Sequence, residues 1–271
     1  MDDGSEPTAG LREAIRALAI GIRPVTIVEQ GSGKISPTGT TFILAVGPRR
    51  ILVTAEHVIV GPETKLFGVS PHGSTAWPNR HWRLVALGDG VPLADIVWAA
   101  ATIGEDADEP TAAAIPLEAV LPFFRFEEGA SVVAVGYPAS RAKLRDAQQT
   151  LSSQLMSVVC NCSPSSVYKA LQLDPRVHFA MSYDQASCVG LDGAGVVGAK
   201  PKGMSGGPAF LATYEPVGDG AYTAVPRLVG IMTEYHGPPD NVIVGVRIEH
   251  FLDGVEFWAD REGALYCAEA V

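Results

Sequence analysis

Three short runs in the 271-residue chain carry side chains able to make and break bonds. Thr54-Ala55-Glu56-His57 ends a β-like run on an imidazole. Ala94-Asp95-Ile96-Val97-Trp98 opens another on a carboxylate. Gly203-Met204-Ser205-Gly206-Gly207-Pro208 sets a hydroxyl in a glycine-rich elbow. An imidazole titrating near pH ~6.5 can both take and return a proton close to neutrality. A serine hydroxyl becomes a nucleophile only when such a base accepts its proton. Taken singly, each run also has a plain structural use. His57 suits a hydrogen-bonded, part-buried histidine, Asp95 a turn residue before a strand, and the elbow a β-turn whose glycines supply positive φ. In the order His, Asp, Ser on one chain they form a specific set.

The surrounding sequence predicts what must position them. Leu11, Ile15, Leu18 and Ile22 fall at three- and four-residue intervals, which predicts an amphipathic helix over 10–22 behind a frayed leader at 1–9. The period then changes to that of strands. Val25–Val28, Thr40–Val46 and Ile51–Thr54 alternate between turns rich in glycine, serine and proline. Shorter β-rich runs follow at 66–70, 82–87 and 95–100, and the acidic stretch Glu105–Pro110 reads as a surface crossing between two halves. Ser131–Val135 opens the second half, with further runs near 150–160, 177–183, 207–212, 227–233 and 241–247. A helical insertion is expected over Ser165–Leu173 and a closing helix over Ile248–Trp258. The expected fold is all-β: two six-stranded antiparallel barrels with a helix at each end, barrel closure hiding the sheet edges. The expected division is leader and N-terminal helix at 1–22, first barrel with His57 and Asp95 at 23–115, second barrel with Ser205 at 116–255, and tail at 256–271.

Composition agrees and narrows the function. Hydrophobic residues make up 47% of the chain and charged ones 18%, enough to bury a core. The 29 glycines and 20 prolines suit many short strands and tight turns. A net charge of −10 builds no basic stripe for phosphate backbones, so nucleic acid and anionic membrane surfaces are not expected partners. Met1-Asp2-Asp3-Gly4 is acidic with no apolar stretch of a secretory signal after it, and no uncharged run reads as a membrane span. Cys160, Cys162, Cys188 and Cys267 show no disulfide framework, and a Cys-x-Cys pair without a second pair or histidine nearby is a poor zinc site. Four reduced thiols, no metal, no cofactor and a cytoplasmic location are the expectation.

The three runs together resemble those of the trypsin-like (chymotrypsin-fold) serine proteases, and among them the disulfide-poor bacterial branch that includes HtrA-type protease domains. The resemblance spans roughly 22–255. Thr38-Gly39-Thr40-Thr41-Phe42-Ile43 resembles the glycine-containing strand before the histidine, Gly136-Tyr137-Pro138 the Gly-x-Pro turn of the second barrel, and Leu228–Thr233 the strand flanking substrate. The resemblance implies a serine endopeptidase acting on protein or peptide. In it Ser205 attacks, His57 is base and then acid, and Asp95 fixes the imidazole. The N–H groups of Gly203 and Ser205 form an oxyanion hole. Of the acids between His57 and Ser205, only Asp95 stands in the alternation of the family's aspartate strand.

Departures from the family matter too. Val58 and Pro201 stand where secreted members carry cysteines, and Met204 where they carry an aspartate that pairs with a cut N-terminus. Activation by trimming is therefore not expected, and order in the oxyanion loop must come from packing, an oligomer or an activating protein partner. Ala199, beside Lys200, takes the position that sets charge preference in the substrate pocket. Thr233, Glu234 and Tyr235 line that pocket, with Thr233 a minor support near the aspartate. The pocket is read as taking a small or medium apolar residue. The competing reading is an inactive double barrel that binds a partner through its cleft.

Overall fold

Strands whose residues alternate between two apolar surfaces must be covered on both, and the pattern of this chain does so twice. The computed structural model describes residues 6–19, 21–28, 35–46, 49–59, 66–68, 85–86, 97–100, 114–145, 150–185, 188–190, 200–218 and 221–252. After helix α1 (Glu6–Ala19), the first sheet takes β1 (Ile22–Val28), β2 (Ile35–Val46), β3 (Arg49–Thr54), β4 (Leu66–Gly68), β5 (Val85–Ala86) and β6 (Val97–Ala100) in the order β4-β1-β2-β3-β6-β5. A short β7 (Ile115–Pro116) joins β2 in parallel, a pairing absent from the antiparallel expectation. Helix α2 (Glu56–Ile59) follows β3 directly.

The second sheet is a ring. Its members are β8 (Ser131–Gly136), β11 (Met156–Cys162), β12 (His178–Ser182), β13 (Cys188–Gly190), β14 (Pro208–Gly218), β15 (Ala221–His236) and β16 (Val242–Arg247). Six run in the order β12-β16-β15-β14-β8-β11, and β11 returns to β12 through Asn161↔Ser182 and Cys162↔Met181, with β13 attached outside. Closure leaves no free edge in the ring. The hairpin β9 (Ala142–Arg145) and β10 (Thr150–Ser153) stands apart, and helix α3 (Ser165–Ala170) fills the connection after β11.

Alternation along β8 explains how the halves meet. Val133 and Val135 face a core shared with Ile22, Phe42 and Leu44 of the first sheet, while Val132 and Ala134 face the interior of the second with Met156, Val158 and Phe179. In β2, Ile43 points the other way, against Leu52. The shared core also takes Ile15 of α1, which packs along β15. A helix that leads into the first sheet therefore rests on the second.

The structure corrects the expectation for the N-terminus. The helix starts at Glu6, inside the expected leader, and ends at Ala19. Ile22 is the first residue of β1, opposite Phe42, and is fully buried there. Gly21 turns the chain, its N–H donating to the Leu18 carbonyl at 3.0 Å. Ile22 fits a helical interval and a strand position alike, because the two periods coincide at a boundary. The expected closing helix is present over 248–252, and its remainder lies outside the described residues, as do the acidic loop at 105–110, the tail at 256–271 and Cys267. No helix among the described residues is long and apolar enough to cross a membrane.

Two expectations follow. Ile15→Ala should lower the unfolding free energy by about 2–4 kcal/mol, read from urea denaturation, because it empties a site in the shared core. Cys160 and Cys162 are both free thiols and both buried. Burial pushes the Cys162 thiol up to about 11, against the opposing charge of Arg247. Since the thiolate is the reactive form, iodoacetamide at pH 8 should leave both unmodified in native protein and label them after denaturation, as mass spectrometry of peptides would show.

Candidate active site

His57 sits where β3 runs out. The pairing of β3 with β6 ends at Thr54, opposite Val97, and Ala55 is buried. Val58 N–H donates to the Ala55 carbonyl at 3.1 Å, which turns the chain into α2 and leaves His57 exposed.

The elbow between Lys200 and β14 is held from both halves. Its central unit is the peptide joining Ser205 to Gly206. The Ser205 carbonyl accepts from Thr40 N–H of β2 at 2.8 Å, and the Gly206 N–H donates to the Met232 carbonyl of β15 at 2.7 Å. One peptide thus spans the two sheets. Gly206 adopts φ +83°, and a Cβ there would strike the Thr40 carbonyl and Thr54 Oγ1 and lie 2.8 Å from Ala55 N. Only glycine allows that approach, and the approach places Ser205 next to the turn that carries His57. Gly39 reports the same proximity. A Cβ on it would lie 2.5 Å from Val58 Cγ1 and 3.0 Å from the Ser205 carbonyl oxygen.

Thr40 supplies a second clamp. Its fully buried hydroxyl accepts from Tyr137 N–H at 2.9 Å and donates to the Gly203 carbonyl at 2.9 Å. Thr54 in turn donates its hydroxyl to the Thr40 carbonyl at 2.7 Å. Tyr137 reaches back to the first sheet, its phenol donating to the Ile22 carbonyl at 3.4 Å. Burial raises that phenol's pKa, with Arg23 opposing.

These bonds also fix two amides. Across a trans peptide the N–H points opposite to the C=O. The Lys202 carbonyl accepts from Ala139 N–H at 2.8 Å, so the Gly203 N–H is directed away from Ala139. The Met204 carbonyl accepts from Gly207 N–H at 2.9 Å, so the Ser205 N–H is directed away from Gly207. Neither amide has an acceptor among the described residues. Gly203 takes φ +97°, with its Cβ position only 2.6 Å from Ala139 N, so this turn too requires glycine. Met204 is 1% exposed and packs in the second-barrel core with Met156 and Met232.

Along β15 the register slips between Met232 and Glu234. Thr233 is buried and donates its hydroxyl to the Val244 carbonyl at 3.3 Å. Glu234 is exposed, with Oε2 3.1 Å from His236 Nε2. Tyr235 turns the other way, edge-on to Tyr183, with its hydroxyl on Asn241 Oδ1 at 3.2 Å and its pKa raised by burial. Lys200 is exposed. Asp95 and Ala199 lie outside the described residues, so what is brought together is the glycine turn with Ser205 and the backbone turn that carries His57, with Thr233, Glu234 and Tyr235 on the adjoining strand. No group of three or more His, Cys, Asp or Glu among the described residues is arranged to hold a metal. Thr40 is the residue that the sequence reading did not give a role. Its signal was a cluster of threonines around Gly39, at 38, 40 and 41, just before the apolar run Phe42–Val46 of β2.

No protein-family model matches the chain, and no curated protein does. Solved structures do. An inactivated protease paralogue of the scabies mite superposes with a TM-score of 0.55 at 15% identity, covering 90% of this chain and 96% of its own. A thermostable serine protease from an extremophilic microorganism matches at 15% identity over 88% of this chain and 96% of its own, with a TM-score of 0.48. A protease of M. tuberculosis in its active form matches at 15% over 94% and 86%, with a TM-score of 0.47.

The clamp makes a direct prediction. Thr40→Val keeps the shape but strands a buried N–H at Tyr137 and a carbonyl at Gly203, which should cost about 2–4 kcal/mol of stability. Thr40→Ser restores the hydroxyl and should cost only about 1 kcal/mol for the lost methyl. Equal losses in the two variants, measured by urea denaturation, would remove the hydroxyl from the account. With two β-sheets meeting at a shared core and the serine elbow pinned between them, the chain has the double-barrel fold of the trypsin-like serine proteases.

Proposed function

We propose that the protein is a serine endopeptidase that hydrolyses peptide bonds in a protein or peptide substrate. The observation that carries this reading is the Ser205–Gly206 peptide, bonded to β2 on one side and β15 on the other, which holds Ser205 beside the His57 turn. Ser205 Oγ attacks the scissile carbonyl as His57 takes its proton. His57 then returns the proton to the leaving amine. Asp95 accepts the second imidazole N–H and stabilises the imidazolium. The negative charge that develops on the carbonyl oxygen falls to the Gly203 and Ser205 N–H groups, a contribution of about 2.7–4 kcal/mol per donor in enzymes of this chemistry. The two glycine-turn amides without acceptors support this assignment.

Met204 bears on control. Its thioether is buried among apolar side chains, a place unable to hold an ammonium without several kcal/mol of penalty. We therefore assign no role to a cut N-terminus, and propose regulation by an activating protein partner in an intracellular, cytoplasmic setting. The substrate pocket, formed by Ala199, Lys200, Thr233, Glu234 and Tyr235, takes a small or medium apolar residue before the cleaved bond.

A second reading is an inactive binding module, and one observation favours it: a structural neighbour of the same fold is described as an inactivated protease paralogue. The two readings separate cleanly. A fluorophosphonate probe should label Ser205 in the wild-type chain and not in Ser205→Ala or His57→Ala, since only an activated serine reacts. On a cleavable peptide, Ser205→Ala should lose around 10⁴–10⁶-fold in kcat with the fold intact, and kcat/KM should rise with an apparent pKa of about 6–7. A folded wild-type chain that takes no label, alone or in a lysate able to supply the activating partner, would favour the binding module instead.

A further inference from the structure

A cleft of about 710 Å³ opens on the second barrel, and none of the residues discussed above as catalytic lines it. Its walls combine the apolar surfaces of Phe126, Tyr168 and Leu173 with hydrogen-bond donors on Ser163, Lys169 and Arg247. The arginine is the informative residue. Its Nη1 donates to the Phe124 carbonyl at 2.8 Å and lies 3.5 Å from Glu249 Oε1. Every side-chain hydrogen bond it makes among the described residues leaves from that nitrogen. Nε, on the opposite edge, is buried and has no partner there. Nε and Nη2 together form the edge that meets a carboxylate through two parallel bonds. Nε has almost no accessible surface, so a ligand oxygen meets it only as the guanidinium turns that edge into the cleft; a buried donor left unpaired is costly, and such pairing removes the cost.

The neighbours add donors. Tyr168 is 9% exposed, and its phenolic oxygen already accepts from Ala180 N–H at 3.0 Å, so its proton is available to a ligand. Ser163 shares one hydrogen bond with Ser182 at 3.4 Å, and Lys169 is exposed. Two acids also line the cleft. Asp174 is taken by Arg176, Oδ2 to Nη2 at 2.7 Å, while Glu128 stays exposed. An uncompensated carboxylate on the rim disfavours dianions and acidic tracts and admits a single negative charge beside an apolar group. The scale agrees: the Phe126 ring centre lies 5.1 Å from Arg247 Cζ, so the donor edge and the apolar wall adjoin. At a chain terminus the carboxylate and the last side chain branch from one Cα, which lets a single residue reach both.

We propose that this cleft docks the C-terminal carboxylate of a peptide or protein whose last side chain is apolar. The site is independent of whether Ser205 is a nucleophile. The test is calorimetric titration of the full chain with N-acetyl-alanyl-leucine, its C-terminal amide, an amidated peptide carrying an internal aspartate, and inorganic phosphate. The free acid should bind, with each of the other three at least tenfold weaker. Arg247→Lys keeps the charge, loses the fork and should weaken the acid at least tenfold. Because Arg247 also holds Phe124, the exposed Lys169→Glu is the second variant and should weaken it at least threefold with the circular dichroism spectrum unchanged. Ser205→Ala should leave the affinity as it is. Equal binding of acid and amide, no binding at millimolar acid, tighter binding of phosphate or the internal aspartate, indifference to Lys169→Glu, or loss on Ser205→Ala would each overturn the proposal.

Discussion

The elbow that carries Ser205 depends on one peptide group. The unit between Ser205 and Gly206 directs its carbonyl to Thr40 of the first sheet and its N–H to Met232 of the second. A peptide is planar and its two polar groups are opposed, so bonding both ends leaves it almost no freedom to rotate. The halves cannot slide relative to each other without breaking one of those bonds. Neither can Ser205 leave the His57 turn while Gly206 remains wedged under Thr40, Thr54 and Ala55. The nearby Tyr137–Thr40–Gly203 chain acts in the same direction and ties the turn before β9 to the same strand.

Hydrophobic burial sustains that bonding pattern. The core containing Phe42, Leu44, Val133, Val135, Phe210 and Leu228 draws from both sheets, so the two halves are one packed body at the place where the elbow lies. The buried threonines set their hydroxyls against backbone partners: Thr40 on Gly203, Thr41 on Val53, Thr54 on Thr40 and Thr233 on Val244. Such groups are tolerated inside because each is satisfied, and each then fixes a strand register more narrowly than apolar contact alone.

Much of this was legible in the residues. Alternation located β1, β2, β3, β8, β12 and β16 to within a few positions, since strands buried on one or both faces cannot hide their period. The elbow and His57 stood out because imidazole and a hydroxyl in a glycine turn are residue types able to do chemistry. What escaped was short or non-local. β7 and β13 have two and three residues, and unlike the equally short β4 and β5 neither lies in a longer β-rich run. Thr40 meets partners 163 and 97 positions away, and no local pattern announces them. The helix end at Ala19 was missed because Ile22 is apolar in either conformation. The Arg247 cleft draws on the segment before β8, on α3 and on β16, three parts of the chain with no motif in common.

The burial of Met204 has a consequence for how such a site can be controlled. Where a charged group orders a catalytic loop, order can be given or withdrawn by supplying or removing its counter-charge. Here the side chain next to Ser205 is an apolar knob in the second-barrel core, and the backbone on either side is bonded to Pro201 and Gly207. The free energy holding the turn is therefore burial and backbone hydrogen bonding, neither of which changes with pH or with the state of a chain terminus. Disordering the turn would mean exposing Met204 and breaking the peptide that spans the sheets, which is close to separating the halves. Control over a site built this way acts on what reaches Ser205 more readily than on the turn itself.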